Sequence, residues 1–177
     1  MNELHNVDIA PRQKVVMAAQ TGLFLAVLLA IQMIGLPNFL TGTIVNSIFI
    51  FVLLLTGLRH ALLLAVLSPL GGILSGHLPA PMYPVLPVII CGNIVFIATY
   101  QCLAARSVFV RLFFPAALKG FIIGVTGYFV IYTFGIPEQA KWLILPVLGI
   151  QFFTAFAGAL AAENFFQALN RSRGNSL

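Results

Sequence analysis

Long runs without a charged residue constrain the fold of this chain more than any other feature. Between residues 15 and 105 the only Asp, Glu, Lys or Arg is Arg59. A helix needs about 20 apolar residues to cross about 30 Å of hydrocarbon. Only helices and closed barrels satisfy their backbone groups in lipid. Because these runs lack the polar and apolar alternation of barrel strands, the sequence predicts an all-α, polytopic membrane protein.

The composition supports this fold class. The chain has 177 residues, of which 60% are apolar and 7% are charged, whereas soluble domains contain about 25% charged residues. Too little polar surface remains to face water, and the length suits one compact helical bundle. The net charge of +5 comes from few residues, so we attribute it to membrane orientation and expect no nucleic-acid partner.

Six transmembrane helices are predicted. The connection between the second and third is so short that these two form an antiparallel hairpin. The chain divides into an N-terminal tail (1–14), a transmembrane domain (15–169) and a basic C-terminal tail (170–177). The spans are predicted at residues 15–36, 39–58, 60–78, 85–103, 108–134 and 141–169.

The basic residues fall on one side of this predicted bundle. Positive charge marks the cytoplasmic side of a membrane protein, so both termini are expected in the cytoplasm and the three proline-bearing loops outside. The polar N-terminal segment has no secretory cleavage pattern and is expected to be retained. Of the basic residues in the loops and tails, Lys141 alone falls outside; those on the cytoplasmic side are Arg12, Lys14, Arg59, Arg106, Arg111, Arg171 and Arg173.

The segment from Gly71 to Asn93 concentrates unusual residues. Proline fixes φ and lacks a backbone donor, so we expect a stiff, extended connector here rather than a regular helix. Such a loop presents side chains to a ligand with a small ordering cost. The segment carries Pro79, Pro81, Pro84 and Pro87, with His77, Met82 and Tyr83 between them.

Amides and aromatic side chains near the outer half of the last three spans form a candidate ligand site. Apolar walls with a few polar groups suit a small-molecule pocket. An amide in hydrocarbon needs a partner, which makes Asn93 hard to explain by packing and predicts that Asn46 faces the bundle. For Tyr132 and Trp142 an ordinary interfacial belt is the alternative. The candidate ligand-binding residues are Asn93, Tyr83, His77, Tyr128, Trp142, Gln151, Asn46 and Met82.

The two cysteines, Cys91 and Cys102, fall inside predicted spans. We therefore expect buried free thiols rather than a disulfide. A neutral imidazole at His77 would suit a metal centre, although a solvated histidine is the ordinary alternative. With Met82 and Cys91 nearby in sequence, a cobalt or iron tetrapyrrole is conceivable, yet the three lack a recognised ligand spacing. No metal site is assigned; His77 and Cys91 are candidates only.

No catalytic motif or pair of acids at a common membrane depth is found, and the chain is not expected to be an enzyme. Without an embedded acid there is no evident proton or sodium relay, which argues against a self-sufficient secondary transporter. Lys119 lies deep in the fifth span. Three roles are open for this lysine: it snorkels toward the cytoplasm, it serves the structure, or it has a function. Glu163 is available as its counter-charge.

A small residue at every fourth position gives the first span a smooth stripe. Such a row permits close approach of a neighbouring helix. Packing inside the same bundle and docking of another membrane subunit are both open. The stripe consists of Ala18, Gly22, Ala26 and Ala30.

Together with TGTIVN (41–46), GLRH (57–60), SPLGGILSG (68–76) and PVIICGN (87–93), this stripe resembles the substrate-binding S component of energy-coupling factor (ECF) transporters, importers of the ABC class. The resemblance covers nearly the whole chain. It implies a subunit in the plasma membrane of a prokaryote that captures a small heterocyclic vitamin or cofactor precursor from outside. No covalent cofactor is implied, and a cobalamin-like tetrapyrrole is one possible ligand.

The resemblance also implies partners. Family members dock through the stripe of the first span onto a transmembrane coupling protein, which two cytoplasmic ATPases drive. Gly22 departs from an all-alanine motif but still permits close approach. Two alternatives belong to other classes: a structural or assembly subunit without a ligand, and a membrane-embedded enzyme that uses Cys91 or His77.

Overall fold

The computed structural model of the protein describes residues 11–74, 76, 80–135 and 138–174. No strand occurs among these residues, which confirms the predicted all-α class. A 3₁₀ helix, Ala80–Val85, precedes the fourth α-helix, and a π-helical turn, Ile122–Thr126, follows the fifth. The α-helices are α1 (Pro11–Met33), α2 (Asn38–Thr56), α3 (Leu58–Leu74), α4 (Leu86–Cys102), α5 (Val108–Phe121), α6 (Gly127–Thr133), α7 (Glu138–Gly149) and α8 (Gln151–Gly174).

Within the described part of the chain, four helical segments are long and apolar enough to cross a membrane. They are Arg12–Met33, Asn38–Thr56, Tyr83–Cys102 and Val108–Thr133. Helix α3 is also apolar but shorter, with Leu58–Leu74 in a single helix that continues through Pro69. The first five predicted spans therefore coincide with helical segments, with boundaries that differ by a few residues.

The distribution of side chains is inverted relative to a water-soluble protein. Large apolar residues such as Leu23, Phe129 and Phe153 are more than half exposed on the outside. Polar residues such as Asn46 and Asn93 are buried inside. Soluble monomers rarely present so continuous an apolar surface, so this pattern and the helix lengths together indicate a membrane protein.

The sixth predicted span, residues 141–169, is wrong as a single helix. It consists of the end of α7 and most of α8, which meet at Ile150. Pro146 lies inside α7 just before the break, and proline removes a backbone hydrogen bond from the helix interior. Helix α8 continues to Gly174, so it includes part of the predicted C-terminal tail, just as α1 includes part of the N-terminal one.

The proline-rich segment also differs from the expected extended connector. Ala80–Val85 forms a 3₁₀ helix that contains Pro84. Pro87 lies in the first turn of α4, where a backbone N–H has no intrahelical acceptor to lose. Prolines at these positions are therefore compatible with short helical structure. Residues 75 and 77–79 of this segment lie outside the described part of the chain.

The pair α2 and α8 forms the most extensive helix contact of the bundle. Gly158 of α8 makes this approach possible. A Cβ atom at this position would lie 2.6 Å from the carbonyl oxygen of Thr43 and 2.7 Å from the Cβ of Asn46. Close backbone approach at small residues is how helices pack in a membrane.

A second set of contacts joins α4, α5 and α8 near the end of the bundle that carries the basic residues. Arg111 Nε donates to Glu163 Oε1 at 2.6 Å, and the Tyr100 hydroxyl donates to the same oxygen at 2.5 Å. Arg111 Nη1 also donates to the carbonyl oxygen of Ala104 at 2.9 Å. The Glu163 carboxylate is thus engaged by Arg111, and the expectation that it could balance Lys119 is wrong.

We expect Gly158→Ala to lower the stability of the bundle by about 1–3 kcal/mol, because the new methyl group would overlap backbone atoms of α2. The midpoint of thermal unfolding in detergent measures this effect. Gly22→Ala is the matched control, since a Cβ there meets nothing within 4 Å and alanine favours the helix. Equal midpoints for the two variants would contradict the close contact of α2 and α8.

Candidate functional site

A cavity of about 430 Å³ lies at one end of the helical bundle. It is formed where α1 and α3 end and where α2, α4 and α8 begin, with α5 contributing from its last turn. Arg59 and Arg111 lie at the opposite ends of their helices. The cavity therefore faces away from the basic end. Its polar lining comprises Gln32, Asn38, Thr41, Asn46, Ser68, Asn93, Lys119, Gln151 and Thr154.

Lys119 on α5 is the cationic residue of this lining. Its side chain is only 2% exposed, and Nζ donates to Asn46 Oδ1 on α2 at 2.5 Å. The aromatic rings of Phe96 and Phe49 lie nearby, with centroids 5.2 Å and 6.0 Å from Nζ. The lysine points into the bundle, so of the alternatives left open for Lys119, snorkelling toward the cytoplasm is wrong.

Asn46 is held in place by two further contacts. Its Nδ2 donates to the carbonyl oxygen of Gly42 at 2.8 Å and lies 3.4 Å from Thr154 Oγ1 of α8. These bonds direct Oδ1 toward Lys119. Because α2 and α8 touch at Gly158, the geometry of the lysine site depends on the packing of these two helices.

Three of the four other amides that line the cavity donate to protein acceptors. Gln32 Nε2 donates to Ser68 Oγ at 3.1 Å. Gln151 Nε2 donates to the carbonyl oxygen of Val147 at 3.0 Å. The contact of Asn93 Nδ2 with the Ala65 carbonyl oxygen is longer, at 3.5 Å. In these three residues the amide nitrogens contact protein acceptors, which leaves their amide oxygens as groups that a ligand can address.

The structure brings together three of the predicted ligand-binding residues. Asn46, Asn93 and Gln151 all line the cavity, as expected for amides that need a polar partner. Tyr83 and Tyr128 do not line it and are exposed. Their side chains are apolar enough to face lipid, which explains why the sequence pattern misplaced them. The side chains of His77, Met82 and Trp142 lie outside the described residues.

Tyr128 belongs instead to an outer aromatic group. Its ring lies 4.4 Å from that of Tyr132, and Lys141 Nζ lies 4.4 Å from the Tyr132 ring centroid. Cations are attracted to the face of an aromatic ring. These contacts connect α6 with α7 and are separate from the cavity.

The cysteines are free but exposed on the outside of α4, contrary to the expected burial. Cys91 is not part of the cavity lining. Within the described residues no group of three His, Cys, Asp or Glu side chains is placed to hold a metal ion. His77 falls outside this region, so its role as a metal candidate stays a prediction.

Several cavity residues were missed by sequence reasoning. Gln32, Ser68 and Thr154 are buried polar side chains within apolar helices. The same signal that indicated Asn46 and Asn93 could have found them, because any polar group in hydrocarbon needs a partner. Lys119 was noted, but its place in the cavity follows only from its contact with α2.

The stripe of small residues on α1 is exposed at all four positions. Ala18, Gly22, Ala26 and Ala30 face away from the bundle. Helix α1 instead buries a different face through Leu28 and Gln32. The alternative that the small residues serve helix packing inside this bundle is therefore wrong. The stripe forms part of the outer surface.

Comparison of the chain with protein-family models, with curated proteins and with solved structures gives no match. The function must therefore be inferred from the geometry of this cavity and from the sequence pattern.

We expect Asn46→Leu to destabilise the protein by about 1–3 kcal/mol, since it removes an acceptor of a buried ammonium group. Lys119→Met in the same background should recover most of this loss, because no charge is left to solvate. Chemical unfolding of the wild type, both single variants and the double variant measures the coupling. Strictly additive effects would contradict a direct contact of Lys119 with Asn46.

Proposed function

We propose that this protein is the substrate-binding membrane subunit of an ATP-driven importer of the energy-coupling factor type. The observation that carries the proposal is the cavity of about 430 Å³ at one end of the bundle, lined by amides, hydroxyls and one lysine. Concave, largely apolar sites with a few polar groups are typical of small-molecule binding. The sequence resemblance to S components favours a vitamin or cofactor precursor as the ligand.

The size of the cavity limits the ligand. At about 30 Å³ per water molecule, the space is equivalent to about 14 waters. A heterocycle of one or two rings suits this volume, and a cobalamin-like tetrapyrrole would extend beyond it. The amide side chains would orient such a heterocycle through hydrogen bonds, and the apolar walls would exclude water.

The charge distribution supports capture from outside. Basic residues mark the cytoplasmic side, and the cavity lies at the other end of the bundle. We place six spans in the plasma membrane of a prokaryote, with α7 and α8 together forming the last span and both termini in the cytoplasm. The ligand would then enter from the exterior near the proline-rich segment.

Energy for uptake would come from partners. Among the helical residues whose side chains the structure describes, Glu163 is the acid. Its carboxylate accepts a hydrogen bond from Arg111. It therefore does not offer a free carboxylate for an ion relay. The exposed stripe on α1 provides a smooth helix face on which a coupling protein could dock. Two cytoplasmic ATPases would drive that coupling protein.

A structural or assembly subunit is the competing function. Such a protein has no need of a polar cavity, and a natural bundle without a ligand fills its interior to high packing density. The open volume beside Lys119 therefore favours a binding role.

Native mass spectrometry of the protein purified from its own membrane is expected to show one bound small molecule. Asn38→Trp, at the exposed rim of the cavity, should reduce the bound fraction at least about tenfold by blocking entry. Asn164→Trp is the matched control, since this exposed residue lies on α8 toward the basic end. No bound molecule in the wild type, or equal retention in both variants, would argue for the assembly role.

Docking is tested by Ala26→Trp. Because Ala26 is exposed, the isolated subunit should fold and retain its ligand, while the bulky side chain should prevent close helix approach and abolish co-purification with the coupling protein. Val27→Trp places the same side chain on a neighbouring exposed position outside the stripe. Normal assembly and uptake with Ala26→Trp would show that the stripe is not the docking surface.

A further inference from the structure

Lys119 has no counter-ion among the described protein groups. Its polar partner is the neutral oxygen of Asn46 at 2.5 Å. Glu163, buried in the same bundle, forms its ion pair with Arg111 at 2.6 Å. Among the described side chains, therefore, no carboxylate balances the ammonium group.

The neutral surroundings do not replace a counter-ion. Burying an ammonium group away from water is costly even after the protein relaxes. The rings of Phe96 and Phe49 stand at cation–π distances, and such contacts offset only part of that cost. An anion that enters the cavity would offset part of the remaining cost, so the site is electrostatically complementary to a negative group.

The amides add a second requirement. Gln32, Gln151 and Asn93 direct their nitrogens to protein acceptors. Their oxygens are what remain for a ligand in the cavity, and oxygens accept hydrogen bonds. The site therefore combines one cation with several acceptors, which suits a molecule that carries one negative charge together with N–H or O–H donors.

From these contacts we infer that the cavity binds a monoanionic heterocycle, whose carboxylate pairs with Lys119 while its ring N–H groups donate to the amide oxygens. This inference rests on the proposed function, since it specifies the ligand class of the same cavity. A single lysine neutralises one negative charge, so a polyanion such as a nucleotide would enter with excess charge and is disfavoured. A neutral ligand would leave Lys119 without a counter-ion.

Matched probes test the carboxylate requirement. Indole-3-acetate and indole-3-acetamide share one ring N–H and differ in the negative charge. Thermal unfolding and equilibrium binding of the purified protein would be measured with each. We expect the acid to bind at least about 30-fold more tightly than the amide, as is typical when a buried charge gains its partner.

The variant Lys119→Met tests whether the lysine causes the preference for the acid over the amide. Methionine keeps the length of the side chain and removes the charge, so the variant should fold and bind both probes equally weakly. Lys14→Met is the matched control, because this exposed lysine lies on α1 away from the cavity; it should keep the preference for the acid. Equal binding of acid and amide by the wild type, or an acid preference that survives Lys119→Met, would overturn the inference.

The identity of the molecule that co-purifies gives a second readout. If accurate mass and fragmentation identify the bound molecule as a monoanion, the result supports Lys119 as the partner of its negative charge. A neutral or cationic molecule overturns it and leaves the proposed binding function intact. If no molecule co-purifies and neither probe stabilises the wild type, both the ligand class and the proposed function fail.

Discussion

The hydrogen bond from Lys119 to Asn46 joins two polar side chains that are buried among apolar helices, and much of the structure is organised around it. Lipid offers no hydrogen-bond partner, so the polar groups of the helices turn inward and meet one another. Asn46 is oriented by Gly42 and Thr154, and these contacts exist because α8 approaches α2 closely at Gly158. The polar contacts in the cavity therefore depend on the packing of α2 against α8.

The two basic residues of α5 differ in their partners. Arg111 is joined to Glu163 and Tyr100 in a cluster whose charges balance and which ties three helices together. Lys119 has a neutral partner and borders open space. A balanced pair has little to gain from a ligand, whereas an unbalanced cation attracts one. This contrast separates a contact that holds the bundle from one that is available for binding.

Departures from regular helix shape the cavity. The break between α7 and α8 places Gln151 and Thr154 in the first turn of α8, beside α2. The π-helical turn begins shortly after Lys119, and such turns often accompany functional sites. On the outside, α1 keeps its small-residue face uncovered. The bundle thus has an inward-facing polar site and a separate outer face suited to a partner helix.

The sequence by itself determined the helical membrane class and the approximate place of five helical segments, because apolar length and missing charge are local properties. It also indicated Asn46, Asn93 and Gln151, since an amide in hydrocarbon must find a partner. Only the tertiary structure decided that Lys119 meets Asn46, 73 residues away, that Glu163 belongs to Arg111, and that Tyr83 and Tyr128 lie outside. Helices that are apolar on nearly every side carry no periodic signal of their rotation, so these pairings depend on packing.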